Sequence, residues 1–372
     1  MTFQEQYELI KEQYYSKDRM DKLEALRLRL LDKQVVLFGA AWIGDFVYER
    51  LVKMGIVPIC FADNFAVGCT PNGHSPILKP QKVLEMYPES IIILSLDRAK
   101  DIVYQQLLEM GVAREQIITD TKLLITTMDM DEFQKYKAGY EWAYDFFDDQ
   151  ISKDLVIQRM GCYLLGTEVD KSPYPQYFEK GLFEFSEKEV FVDGGFFTGD
   201  TAEEFVRQTN GKYKMIYGFE PDRFVREKVP SSLEKAHLQI IPKGLDEKEG
   251  TVYFATTGGH SQASGGNVVE GVDDAENVVQ IPVTSIDRFF ENKPADLQPT
   301  FIKMDIEGAE KAALKGAENT IRRYKPRMAI CVYHKPEDIY ELTKIIKEYN
   351  PQYRLTLRHY AHYFWETVLY AY

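Results

Sequence analysis

Three groups of residues in this chain have types and spacing suited to chemistry. The first runs from 190 to 221. An apolar run, Val190-Phe191-Val192, leads to Asp193, then Gly194, Gly195 and Gly199, then helix formers. A second apolar run, Met215-Ile216-Tyr217, ends in Glu220-Pro221. The order reads as strand, glycine turn, helix, strand, acid. Glycines let a backbone turn sharply and a ligand approach it. Glu220 follows Gly199 by 21 residues and sits where a carboxylate can accept hydrogen bonds from both hydroxyls of a ribose. An adenosine-type ligand is therefore expected across the first two strands. Asp193 and Asp200 flank the glycines. Carboxylates repel a pyrophosphate and suit an ammonium or sulfonium, which favours S-adenosylmethionine over a dinucleotide.

The second group closes a later apolar run, PTFIKMDIEGAE, with Asp305 at its end and Glu307, Gly308 and Glu310 beyond. The third closes MAICVYH at His334. Asp305, Glu307 and His334 end adjacent strands and can converge on one substrate. Deprotonating an alcohol needs a base within hydrogen-bond reach, and His334 is the first choice because a histidine titrates near neutrality. Asp305 can instead contact the amino group of the methyl donor, and Glu307 can orient the substrate. Asp305 and Glu307 also suit the start of the following helix. The trio would accept a divalent ion, but no metal is expected. His359 reads as structural.

These groups need a sheet to hold them. From about 181, strands alternate with helices: 190–195, helix 200–209, 214–220, His237–Pro242, the Asp305 strand, helix 310–323, MAICVYH, helix 337–349. YRLTLRHY and FWETVLYAY then form an antiparallel pair. Ligands in such sheets lie beyond the carboxyl ends of the strands, so Lys243 and Gly244 should border the adenine. Segments 250–256 and 278–284 read as strands flanking the loop GGHSQASGGNVVEGVDD, which carries His260 and could cover the substrate. Five βα units closed by a hairpin describe a class I methyltransferase sheet: seven-stranded, doubly wound, with an antiparallel last strand.

The first half reads differently. Residues 1–30 are helical, with a turn near Ser16–Met20. Residues 31–125 form a smaller Rossmann-like α/β domain whose turn holds Gly39, Ala41 and Gly44, and Asp63 comes 19 residues after Gly44. Ala41 stands where a dinucleotide site prefers glycine, so the fingerprint is degenerate. A nucleotide or nucleotide-sugar at 39–63 is a candidate ligand, and so is a structural or docking role. PNGHSPILKP is a turn leading into a helix, and resembles a small accessory domain of some sugar C-methyltransferases. Ser90–Leu96 is a continuous apolar run, as in a buried parallel strand. Residues 126–180 read as a helical bridge. Tyr140, Trp142, Tyr144, Phe146 and Phe147 can pack between domains or wall a substrate, and SPYPQ is proline punctuation. The catalytic domain is then 181–372.

Composition sets limits. The 372 residues are 45% hydrophobic and carry a formal charge of −13. Such a charge repels phosphates, so no nucleic-acid partner is expected. No apolar run is long enough for a membrane span. The N-terminus lacks a signal-peptide pattern, and Cys60, Cys69, Cys162 and Cys331 show no paired spacing. A cytoplasmic protein is expected.

VFVDGGFFTGDT, YGFEPD, TSIDRF, FIKMDIEGAEKAALKGAENTI and RMAICVYHKPEDIYEL resemble the FkbM family of S-adenosylmethionine-dependent methyltransferases, over about residues 188–372. The resemblance implies a class I fold, S-adenosyl-L-methionine as cofactor, and methylation of a hydroxyl. The acceptor would be a small molecule or glycan, typically a secondary metabolite or a sugar of a bacterial polysaccharide. By motif, Asp193, Gly195, Gly199 and Glu220 would hold the cofactor, with Gly194, Asp200, Thr201 and Pro221 beside them. Asp305 and Glu307 would lie next to the methyl group. Two other readings compete. One is a nucleotide-sugar-binding protein whose methyltransferase-like domain does not catalyse. The other is an NAD-dependent oxidoreductase using residues 34–64.

Overall fold

A computed structural model describes residues 1–70, 75–96, 99–234, 236–255, 268–269 and 278–372. His260, the PNGH turn and all of the GGHSQASGGNVVEGVDD loop except Val268–Val269 lie outside the described residues. The chain forms two compact units: Met1–Lys137 with Ile157–Val169, and Ala138–Val156 with Asp170–Tyr372. Helix Gln150–Leu165 belongs to the second unit as far as Val156 and to the first beyond it.

The first unit opens with helices Phe3–Tyr14 and Lys17–Leu30, capped by Thr2 and Ser16, whose side chains accept backbone amides. Its six-stranded sheet has the order Gly68–Cys69, Pro76–Leu78, Cys60–Ala62, Val35–Phe38, Ile91–Leu94, Ile117–Ile118. Every pairing is parallel except the first. The central strands are continuous apolar runs because helices pack on both faces of a parallel sheet. Val36, Phe38, Cys60, Ala62, Ile92 and Leu94 are buried there against Val83, Val103 and Leu107.

The second unit holds a seven-stranded sheet. Its order is Leu355–His359, Thr367–Ala371, Arg327–Cys331, Phe301–Met304, Val190–Gly194, Met215–Phe219, Leu238–Ile241. Six strands share one direction, and Thr367–Ala371 runs antiparallel to both its neighbours. A smaller sheet pairs Gly250–Ala255 antiparallel with Val278–Thr284, with Gly244–Leu245 and Val268–Val269 at its edges.

Phe301 lies at the centre of an aromatic cluster. Its ring stacks on Phe191 at 5.0 Å and meets Phe185 at 5.2 Å and Phe183 at 5.5 Å. Phe205, from helix Asp200–Gln208, closes on Phe191 at 4.6 Å. This cluster clamps the two strands whose tips end in Asp193 and Asp305.

Two expectations change in detail. The single helix expected over 310–323 is two, Glu310–Lys315 and Glu318–Tyr324. The break falls at Gly316, where a Cβ would lie 2.2 Å from the Asp246 carbonyl oxygen. The aromatics of helix Lys137–Phe146 pack within the second unit. Tyr140 meets Tyr340 edge-on, Trp142 stacks on Phe146, and Lys344 lies 4.5 Å over the Trp142 ring.

Phe301→Ala should cost about 3–5 kcal/mol, the usual loss for deleting a buried phenyl ring. Denaturant unfolding followed by near-UV circular dichroism checks this. A loss below about 1 kcal/mol would show that the cluster does not hold the strand pair.

Candidate active site

The tips of the Val190–Gly194 and Phe301–Met304 strands meet around a buried ion pair. Asp193 is fully buried, and its Oδ1 lies 3.0 Å from the Lys303 Nζ. Lys303 is 2% exposed and donates to the carbonyls of Gly194 at 3.1 Å and Gly195 at 2.7 Å. Burial pushes the Asp193 carboxyl up to about 6, although Lys303 pulls it down. Burial works against the Lys303 charge, but Asp193 and Asp305 outweigh it and raise the ammonium above its ordinary value. Sequence reasoning missed Lys303. Its signal was a lone cation inside an apolar run, which cannot be buried without a partner.

The glycine turn follows. Gly195 has φ +73°, and a Cβ there would lie 1.9 Å from the Asp305 carbonyl oxygen. Close strand packing is enough to require this glycine. Gly199 caps helix Asp200–Gln208, with Asp200 exposed and Thr201 buried. Glu220 is 9% exposed, and its Oε2 accepts the Phe197 amide of the turn at 3.0 Å. Its Oε1 accepts the Asp222 amide at 2.9 Å. Burial lifts this carboxyl to about 7 against those two bonds. Each oxygen keeps a lone pair for another donor. Pro221 adjoins it, half-buried. Lys243 is spent on Glu249 at 2.7 Å, and Gly244 pairs with Val283 in the smaller sheet.

Asp305 is the hub on the other side. Tyr177 donates to its Oδ2 at 2.7 Å and Tyr333 to its Oδ1 at 2.9 Å. Burial acts to raise its pKa, but Lys303, His334 and the two phenols hold it below the usual carboxylate range. Gln176 donates to the Tyr177 hydroxyl and to Glu366. Burial, with Asp305 nearby, pushes the Glu366 carboxyl up to about 7. The SPYPQ segment is thus more than punctuation, since Gln176 and the adjoining Tyr177 reach Asp305 and Glu366. Tyr177, Phe197, Glu307 and Glu366 all have left-handed backbone. Such conformations in residues other than glycine cluster where surrounding structure over-determines them, often at functional sites.

His334 lies 3.0 Å from Glu310 Oε1 through Nδ1, and 3.4 and 3.5 Å from Glu307 Oε2 and Asp305 Oδ1 through Nε2. Burial lowers its pKa, but Glu310, Glu307 and Asp305 together raise it well above the ordinary histidine value. The surrounding carboxylates favour its charged form. The structure brings Asp193, Glu220, Asp305, Glu307 and His334 to one end of one sheet, and leaves Lys243 engaged elsewhere. His359 is buried, with Nδ1 2.8 Å from Thr367 Oγ1, as a structural histidine.

The first unit uses a similar device. Asp63 Oδ2 accepts the Ala40 amide at 3.1 Å, and its Oδ1 accepts the amides of Phe65 and Ala66. No helix among the described residues is long and apolar enough to cross a membrane.

Sheet and comparisons together define an α/β methyltransferase domain. Residues 193–360 match the methyltransferase FkbM domain. It is similar to the solved structure of methyltransferase FkbM from Methylobacillus flagellatus KT, at 20% identity and a TM-score of 0.63. That likeness covers 98% of this chain and 99% of the other. A weaker likeness is to a candidate rRNA-methylase from Clostridium thermocellum. It has 8% identity, a TM-score of 0.32, and covers 50% of this chain and 87% of that one, and it carries no argument. No curated protein matches the sequence.

Lys303→Met leaves Asp193 buried and unpaired, and should cost about 3–5 kcal/mol. Asp193→Asn combined with Lys303→Met should cost clearly less than the two single losses added together. Urea melts of the four proteins complete the cycle. Additive losses would mean that the pair is not coupled.

Proposed function

We propose that the second unit is a class I methyltransferase using S-adenosyl-L-methionine, acting on a hydroxyl oxygen of a sugar, a polysaccharide precursor or a secondary metabolite. The observation that carries this reading is Glu220. Its carboxylate closes the second strand, holds the glycine turn through the Phe197 amide, and keeps lone pairs free for a vicinal diol.

The donor set also fits a cationic nucleoside. Asp193, Asp305, Glu307, Glu310 and Glu366 outnumber Lys303 and His334 around these tips. Neither Asp193 oxygen has an aligned hydrogen-bond donor among the described residues. When bound, the cofactor supplies an electrophilic methyl group on sulfur. Glu220 would hold its ribose, and Asp193 and Asp305 would favour its positive end. Asp305, kept ionised by Tyr177 and Tyr333, would accept a hydrogen bond from the acceptor hydroxyl as that oxygen attacks. Glu307, 38% exposed in its side chain, would orient the acceptor from the rim. The protein's main contribution is positioning two reactants in a site that excludes water. Cys60, Cys162 and Cys331 are buried thiols, which suits a reducing, cytoplasmic setting.

Glu220 supplies a signed test. Its folded pKa is raised to about 7, so below that pH it holds a proton. A diol donates to the ionised form, so binding must first remove that proton. Affinity for S-adenosylhomocysteine should therefore tighten about tenfold from pH 6 to pH 8 and level off above 7. Glu220→Gln should bind at least about tenfold more weakly with no such slope, because a charged acceptor is replaced by a neutral one. Calorimetry on the folded full chain measures both. No binding at either pH would remove the donor assignment.

A further inference from the structure

We propose that Asp305, Glu310 and His334 form a binding site for one divalent cation of the Mn²⁺ or Mg²⁺ class, with Glu307 at its mouth. The sequence pattern led to an expectation of no metal. Its nearest candidate set contained Glu307, where the structure brings in Glu310. One ligand atom from each of Asp305, Glu310 and His334 lies within 4.8 Å of the other two. They come from three elements: the end of strand Phe301–Met304, the first residue of helix Glu310–Lys315, and the segment after strand Arg327–Cys331.

The contacts around the imidazole have the wrong form for hydrogen bonds. Its nitrogens lie 3.0–3.5 Å from three carboxylate oxygens. Yet neither nitrogen has an aligned acceptor among the described residues. A ring N–H donates along its own axis, so carboxylates this close should lie on that axis if they were only hydrogen-bonded. Ligands sharing a metal behave differently. The ion takes the nitrogen's axis at about 2.1 Å, and neighbouring ligands of an octahedral site sit about 3 Å from the nitrogen and off that axis. One ion takes one ring nitrogen, and the short, misaligned contact between Nδ1 and Glu310 Oε1 at 3.0 Å is the kind that a shared cation leaves in its ligands.

A second observation is independent of the ring. Glu310 is 1% exposed, and its Oε2 has no hydrogen-bond partner among the described residues. An unsatisfied carboxylate oxygen at that depth is costly unless a positive group faces it. The ligands are also pre-set. Ile306 donates its amide to Glu310 Oε1 at 2.8 Å, and Tyr177 and Tyr333 fix Asp305. Such outer bonds are typical of metal sites. The left-handed Glu307 and Gly308 make the tight turn that returns Glu310 to Asp305. Carboxylate oxygens with one imidazole suit Mn²⁺ best and Mg²⁺ next.

If the methyl-transfer reading holds, the ion would take the acceptor oxygen and ease loss of its proton. The site itself does not depend on that reading, so the test reads binding alone. Full-length protein stripped with a chelator is titrated with Mn²⁺ and followed by electron paramagnetic resonance. One saturable ion per chain is expected, with ¹⁴N modulation of the spin echo from one imidazole. Glu310→Gln and His334→Gln should each weaken binding at least about tenfold. Non-saturating uptake by surface acids would overturn the proposal. So would one ion without nitrogen coupling, or full affinity in both folded variants. Should either variant fail to fold, nitrogen coupling in the wild-type protein decides.

Discussion

The second unit depends on one buried charge. The Lys303 ammonium lies between Asp193 and the carbonyls of Gly194 and Gly195, almost wholly out of water. A buried charge is tolerated only when its partners replace the lost hydration. Those partners all come from the neighbouring strand tip, so Lys303 fixes the two tips against each other. Asp305 lies two residues along the same strand and inherits that placement. From it hang Tyr177, Tyr333 and His334. The acidic site exists because one cation from the sheet's interior neutralises part of it and leaves the rest unmatched.

The two units answer one sequence grammar in different surroundings. In each, an acid at the end of the second strand accepts an amide from the turn after the first: Asp63 with Ala40, Glu220 with Phe197. Asp63 spends both oxygens on three local amides, Ala40, Phe65 and Ala66. Glu220 takes two amides and sits beside a crowd of carboxylates. The two motifs thus share the turn-holding bond and differ in the charges around it.

Much of this was legible in the sequence. Continuous apolar runs marked the parallel strands, and acids at their ends marked Asp193, Glu220 and Asp305, because strand ends place side chains at one edge of the sheet. What escaped was set by distance along the chain. Tyr177 meets Asp305 across 128 residues, and Gln176 meets Glu366 across 190. No local pattern encodes such meetings. The glycine at the break, Gly316, likewise meets the Asp246 backbone, which periodicity cannot sense. Helix Gln150–Leu165 reads as one element, yet its two ends belong to different units. His334 was found by its place at a strand end. Three carboxylates from other segments raise its pKa, and no local pattern encodes them.

The central claim is that the carboxyl ends of strands Val190–Gly194 and Met215–Phe219 receive a nucleoside whose ribose rests on Glu220. A crystal structure of the full chain with S-adenosylhomocysteine tests it most directly. The account predicts density at those two strand ends, with both ribose hydroxyls within hydrogen-bond distance of the Glu220 carboxylate. Density elsewhere, or a bound nucleoside whose ribose does not touch Glu220, would contradict it.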